Sequence, residues 1–184
     1  MFTTGLRGLD SVLHGIHPGD NIVWAISEAK EYKSFVIPFA EAARKQNKKI
    51  TYFRFADHPP LLQETEGIEI IELNPQVGFE KFVTEMVDRI EERGADSWYV
   101  LDCLTGLATA WYSDRMMANF FLVICPFVLK LQSLATFAIN KAHHSSHATD
   151  TIYSTAQIII EVYSHNGKLF IQPQRVENRY SPTM

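Results

Sequence analysis

Asn21-Ile22-Val23-Trp24-Ala25-Ile26 is followed by Ser27-Glu28-Ala29-Lys30-Glu31-Tyr32-Lys33-Ser34, and then by Phe35, Val36, Phe39, Ala40, Ala42 and Ala43 at helical spacing. The first run is almost wholly apolar and follows the turn signal His17-Pro18-Gly19-Asp20. It reads as a strand buried on both faces of a sheet. A helix is expected from Ser34 onward, turning polar over 44–49. A doubly buried strand, a short polar junction and a helix are the repeating parts of a parallel α/β sheet.

The alternation continues along the chain. Residues 50–55 (ITYFRF) and 68–73 (IEIIEL) are strand-like, the former closed by Asp57-His58-Pro59-Pro60, because proline cannot continue a ladder. Phe79, Phe82, Val83, Met86, Val87 and Ile90 mark an amphipathic helix stopped by Gly94. Residues 97–101 form a strand ending at Asp102, 116–131 a helix kinked or broken near Pro126, and 134–139 a strand. Residues 156–163 and 168–176 are joined by Ser164-His165-Asn166-Gly167, a tight-hairpin signal. Helices are expected on both faces of the sheet.

A chain of 184 residues suits one domain that removes roughly 70% of its unfolded surface from water. We parse it as a single domain, 1–184, with an opening motif over 1–20, a βα core over 21–140 and a hairpin over 156–176. The net charge of -4 argues against a dedicated nucleic-acid binder, which carries a basic face. Cys103 and Cys125, the only cysteines, read as buried, reduced thiols of a cytoplasmic protein. The opening MFTTGLRGLD lacks the basic-then-apolar profile of a leader peptide. The most apolar stretch, 116–134, carries Asn119, Pro126, Lys130 and Gln132, so a buried helix is expected there and no membrane span.

Both ends of the chain resemble the RecA/RadA/KaiC ATPases. Thr4-Gly5-Leu6-Arg7-Gly8-Leu9-Asp10-Ser11-Val12-Leu13-His14-Gly15 is similar to the motif preceding their first core strand. Val176-Glu177-Asn178-Arg179-Tyr180-Ser181-Pro182-Thr183 is similar to the segment after their terminal hairpin. The resemblance implies a RecA-like three-layer fold of the P-loop NTPase type. It also places the phosphate loop, G-x-x-x-x-G-K-[ST], at Ser27–Ser34, where Ser27 and Tyr32 replace both glycines and Glu28 and Glu31 add negative charge. Glycine lets backbone N–H groups curl around phosphate, and Tyr32 is expected to put its ring where the polyphosphate approaches.

Lys33 and Ser34 keep the phosphate-contacting lysine and the Mg²⁺-binding hydroxyl, against the plainer reading of an exposed first helical turn. Asp102 takes the place of the Mg²⁺-holding aspartate of the third core strand, unless it caps the following segment. After the second core strand, Ala56 stands where the family has an acid, and Asp57 is the remaining candidate for orienting water. The resemblance implies a lysine inserted into the neighbouring subunit's site, but Glu177 occupies that position and only Arg179 remains as a cation.

A narrower resemblance joins Asp20–Trp24, Tyr52–Ala56, Trp111–Met116 and Arg179–Met184 to the KaiC-like module ahead of the nucleotide- and pyruvate-binding part of phosphoenolpyruvate synthase or pyruvate phosphate dikinase-like proteins. It implies downstream domains or a protein partner, and the ATPase family implies homo-oligomers. No phosphohistidine motif is recognisable. The expected function is a degenerate, non-hydrolysing module that regulates or assembles, with any Mg-ATP bound weakly. The alternatives are a working ATPase with an atypical loop, and a nucleic-acid or protein scaffold.

His143, His144 and His147 cluster after the fifth strand. An i, i+4 pair on a helix is a metal-binding spacing, weighed against a solvated loop, with a partner or nucleic-acid contact as a further alternative, and we assign no metal there. Trp111, Tyr112, Ser113, Asp114 and Arg115 are either a polar site or a turn in which Ser113 or Asp114 caps the next helix.

Overall fold

The computed structural model describes residues 2–179. In chain order the elements are α1 (Arg7–Val12), β1 (Asn21–Ile26), α2 (Ala29–Lys45), β2 (Ile50–Arg54), β3 (Ile68–Glu72), a 3₁₀ turn (Pro75–Val77), α3 (Phe79–Arg93), β4 (Trp98–Cys103), α4 (Thr105–Trp111), α5 (Asp114–Lys130), β5 (Leu134–Asn140), α6 (Ser146–Thr155), β6 (Ile158–His165) and β7 (Lys168–Val176). The strands form one sheet in the order β3-β2-β4-β5-β1-β6-β7. All neighbours pair in parallel except β6 and β7.

Successive residues of β1 serve opposite faces, as the two-residue period of a strand requires. Ile22, Trp24 and Ile26 pack with α1 and α2 through Leu9, Leu13, Phe35 and Phe39. Val23 and Ala25 join the other core, in which Phe82 and Met86 of α3, Phe120 and Phe121 of α5 and Ile152 of α6 lie. Two helical layers therefore sandwich the sheet. Among the described residues no helix is long and apolar enough to cross a membrane.

Several boundaries differ from expectation for physical reasons. α2 starts at Ala29, well before Ser34, because acidic capping completes its first turn. α5 runs unbroken through Pro126. Pro126 and Leu122, four residues before it, are exposed, so the carbonyl that loses its amide partner faces solvent. In the hairpin, Asn166 and Gly167 have φ of 49° and 72°, the pair of positive values that matches strand twist.

The opening motif acts as a staple. Asp10 accepts hydrogen bonds from the Thr4 N–H at 2.8 Å and the Thr4 hydroxyl at 2.7 Å, and from the Thr3 hydroxyl. Gly5 has φ 82°, and a Cβ there would lie 2.1 Å from the Pro38 carbonyl oxygen of α2. The closing motif reaches back to the same end of the sheet. Arg179 Nη2 donates to both Asp20 carboxylate oxygens at 2.7 and 2.8 Å, and Nη1 to the Gly15 carbonyl at 2.6 Å. Both side chains are about 5% exposed or less.

Removing one member of a buried ion pair strands the other charge, at about 3–5 kcal/mol. Urea denaturation of Arg179→Met and Asp20→Asn is expected to show losses of that order, and the double variant a loss smaller than the sum of the two.

Candidate functional site

In open α/β sheets, ligands bind in the crevice outside the carboxyl ends of the strands. Four strand ends, those of β1, β2, β4 and β5, carry residues singled out by the sequence. At the end of β1 there is no phosphate-type loop, since α2 starts after Ser27 and Glu28. The Glu31 carboxylate turns back and accepts the N–H of Ser27 at 2.8 Å and of Glu28 at 3.2 Å. Those amides are the donors a phosphate at a helix N-terminus would require. Glu31 is 6% exposed, so an internal anion fills the place.

Tyr32 does not project toward a polyphosphate. Its ring is buried in the α2 face of the core, and its hydroxyl lies 3.3 Å from Thr136 Oγ1, which also accepts from Trp24 Nε1 at 2.9 Å. Burial pushes the Tyr32 phenol well above its usual range. Lys33 and Ser34 are exposed on α2, beyond the first turn instead of within it.

At the end of β4, Asp102 is fully buried. Its carboxylate accepts the Phe55 N–H at 2.8 Å, the Ala56 N–H at 2.9 Å and the Tyr52 hydroxyl. His58 Nε2 lies 3.4 Å away and 3.3 Å from the Cys103 nitrogen, while Nδ1 is 2.9 Å from the Pro59 carbonyl. Asp102 thus serves as the anchor for the chain leaving β2. Asp57 follows in that loop, exposed, so the two aspartates share one rim while only Asp57 meets solvent.

Arg179 is not among these groups. It is held at Asp20, immediately before β1, and a strand of that length, at ~3.3 Å per residue, puts it roughly 20 Å from the far end. Glu177 faces Arg175 at 3.6 Å, and its N–H donates to Gln157. Tyr180–Met184, part of the two sequence resemblances, lie outside the described residues.

The ends of β2, β4 and β5 surround a cleft of about 1150 Å³ that includes Asp57, His58, Thr105, Asp114, His143 and His144. His143 and His144 precede α6 while His147 lies in it, so the i, i+4 spacing does not fall on one helix. Among the described residues no three potential metal ligands come together. His144 Nε2 is 2.8 Å from Thr105 Oγ1, whereas its Nδ1 is buried without a partner. Burial lowers the His144 pKa, which favours the neutral ring. The Asp114 carboxyl is held below its usual range by its bonds with Ser145, whose N–H it accepts at 2.8 Å.

Ser113 caps α5 by accepting the Met116 N–H at 3.2 Å, while Tyr112, Ser113 and Asp114 also line the cleft. Burial raises the Cys103 thiol and pushes Cys125 up to about 12, so both thiols stay protonated and unreactive. The sequence reading missed α4, Thr105 and the left-handed Tyr112; Gly106 and the Ser113 cap were the available signals. No sequence profile of a known family matches the chain, and no curated protein matches it.

Asp102→Asn places an amide N–H₂ among backbone donors and is expected to cost about 1–3 kcal/mol in urea unfolding. A second expectation concerns pH. The ordinary histidine value is 6.5 and that of folded His144 is lower, so the unfolded chain takes up this proton first as pH falls. Stability from this group is complete above 6.5 and is lost as pH drops toward the folded value. Denaturation midpoints measured across that window should fall with pH, and His144→Gln should flatten the slope.

Proposed function

We propose that this chain is a RecA/KaiC-like α/β module whose nucleotide loop has been converted into a structural junction, and that it acts by association rather than hydrolysis. Glu31 carries the reading. Its carboxylate holds the Ser27 and Glu28 amides, leaving the β1–α2 junction neither the donors nor the charge to receive a polyphosphate. Burial of Asp102 against three protein donors supports it from the Mg²⁺ side, because a carboxylate so saturated is not available to a hydrated cation.

The mostly parallel sheet closed by an antiparallel hairpin is compatible with the fold that the terminal motifs imply. The narrower resemblance sets the module ahead of a phosphoenolpyruvate synthase or pyruvate phosphate dikinase-like phosphotransferase. There it contributes regulation or assembly through protein contacts, as a homo-oligomer or against downstream domains, in the cytoplasm. The absence of Lys and Arg from the cleft lining disfavours nucleic acid as the partner.

Calorimetric titration with Mg-ATP is the test. No saturable binding tighter than about 100 μM, equivalent to ~5 kcal/mol, is expected, and Lys33→Ala should leave the thermogram and the stability unchanged. Tighter binding with ATP turnover that Lys33→Ala abolishes would overturn the reading.

A further inference from the structure

Tyr112 is 96% exposed and sits at the C-terminus of α4 with φ 52° and ψ 32°. A left-handed backbone is unfavourable for any residue with a Cβ, and most of all for a bulky one. A ring left in water gains none of the burial that offsets such strain elsewhere. Glycine would make the same turn without penalty. The chain instead holds an aromatic residue on the rim of the 1150 Å³ cleft, between α4 and the Ser113 cap of α5, so that two helices fix its backbone. Strain combined with exposure at a cavity mouth marks a residue kept for contact rather than for folding.

The lining defines what the ring would meet. It contains Asp57 and Asp114 but neither Lys nor Arg, which disfavours phosphate-bearing and other anionic ligands. Asp114 is already engaged by Ser145, leaving Asp57 as the accepting carboxylate. Asn74 Oδ1 is taken by the Gln76 N–H at 2.9 Å, so its amide N–H₂ is the group left to donate. His143 is exposed on the loop after β5. An aromatic platform, one carboxylate, an amide and an imidazole are the combination that grips a ring through its face and its hydroxyls. The volume is of the order of small-molecule pockets, roughly 300–1,000 Å³.

We propose that this cleft binds a neutral, hydroxyl-bearing ring, a sugar or a nucleoside, stacked on Tyr112 and hydrogen-bonded by Asp57, Asn74 and His143. Lys33 and Ser34 lie outside this site, whereas Ala29 at the start of α2 and Asp57 line it.

Saturation-transfer NMR and calorimetry on the full chain, with D-glucose, D-ribose, adenosine, AMP and choline as probes, test the assignment. At least one of the three neutral rings should bind saturably with a Kd below about 10 mM. Adenosine binding without ribose or glucose identifies a nucleoside site, and glucose or ribose binding identifies a sugar site. AMP should bind less well than adenosine. Tyr112→Gly relieves the left-handed strain, so it should leave the melting temperature unchanged or raised while weakening binding at least ten-fold. Asp57→Asn should weaken it several-fold, and Lys33→Ala not at all. The proposal fails if no neutral ring saturates, if choline or AMP binds better than all three, if Tyr112→Gly binds like the unaltered chain, or if Tyr112→Gly lowers the melting temperature.

Discussion

A carboxylate withdrawn from water must find donors, and three buried carboxylates fix junctions of this chain, two of them between distant segments. Asp102 gathers the exit of β2 onto the end of β4. Glu31 folds the β1–α2 junction onto itself. Asp20 ties the entrance of β1 to Arg179 at the far end of the chain. Each is held mainly by N–H or guanidinium donors, which stabilise the charged form and make the contact specific in geometry. The same requirement explains why these groups are unavailable to ligands. A carboxylate whose lone pairs are committed to backbone amides cannot also coordinate a cation without releasing the segments it joins.

The strands were legible because each is a short β-branched or aromatic run bounded by turn residues, and β1, β2, β4 and β5 lie where those runs predict them. α3 was legible from its apolar period, and Gly94 at φ 73° closes it as expected. The short helices α1 and α4 were not, because six or seven residues give too few repeats for a helical period to emerge. α6 escaped for a different reason: its serines, threonines and His147 dilute the apolar face to Ala148 and Ile152. α2 starts earlier than the apolar spacing from Ser34 onward predicts, because acidic capping and not apolar period sets its first turn. Glu28 and Glu31 have the three-residue spacing of an acidic capping arrangement.

The functional surface was less legible than the fold, since sequence names residue types and not their commitments. Lys33, Ser34, Asp57, Asp102 and Arg179 occupy five recognisable positions, yet only Asp57 both lines the cleft and faces solvent. Asp102 and Arg179 are consumed by contacts across 46 and 159 residues of sequence, which no local pattern encodes. The left-handed conformation of Tyr112 is illegible for the opposite reason. A positive φ on a tyrosine is imposed by the helices on either side, and it contradicts the residue's own preference.

Ala56 shows how these contacts depend on one another. A Cβ added to Gly106 would lie 2.6 Å from the Ala56 Cβ, so the β2 loop and the start of α4 approach as closely as small residues permit. An acidic side chain at position 56 would have to grow from a backbone whose N–H is bound to Asp102, against α4 and beside an existing buried charge. Like charges at that distance raise the energy of both. The small side chain at 56, burial of Asp102 and the glycine at 106 therefore form one structural arrangement. Its product is the tight junction that closes the floor of the cleft, with Thr105 and His144 along its wall and Tyr112 left standing at its mouth.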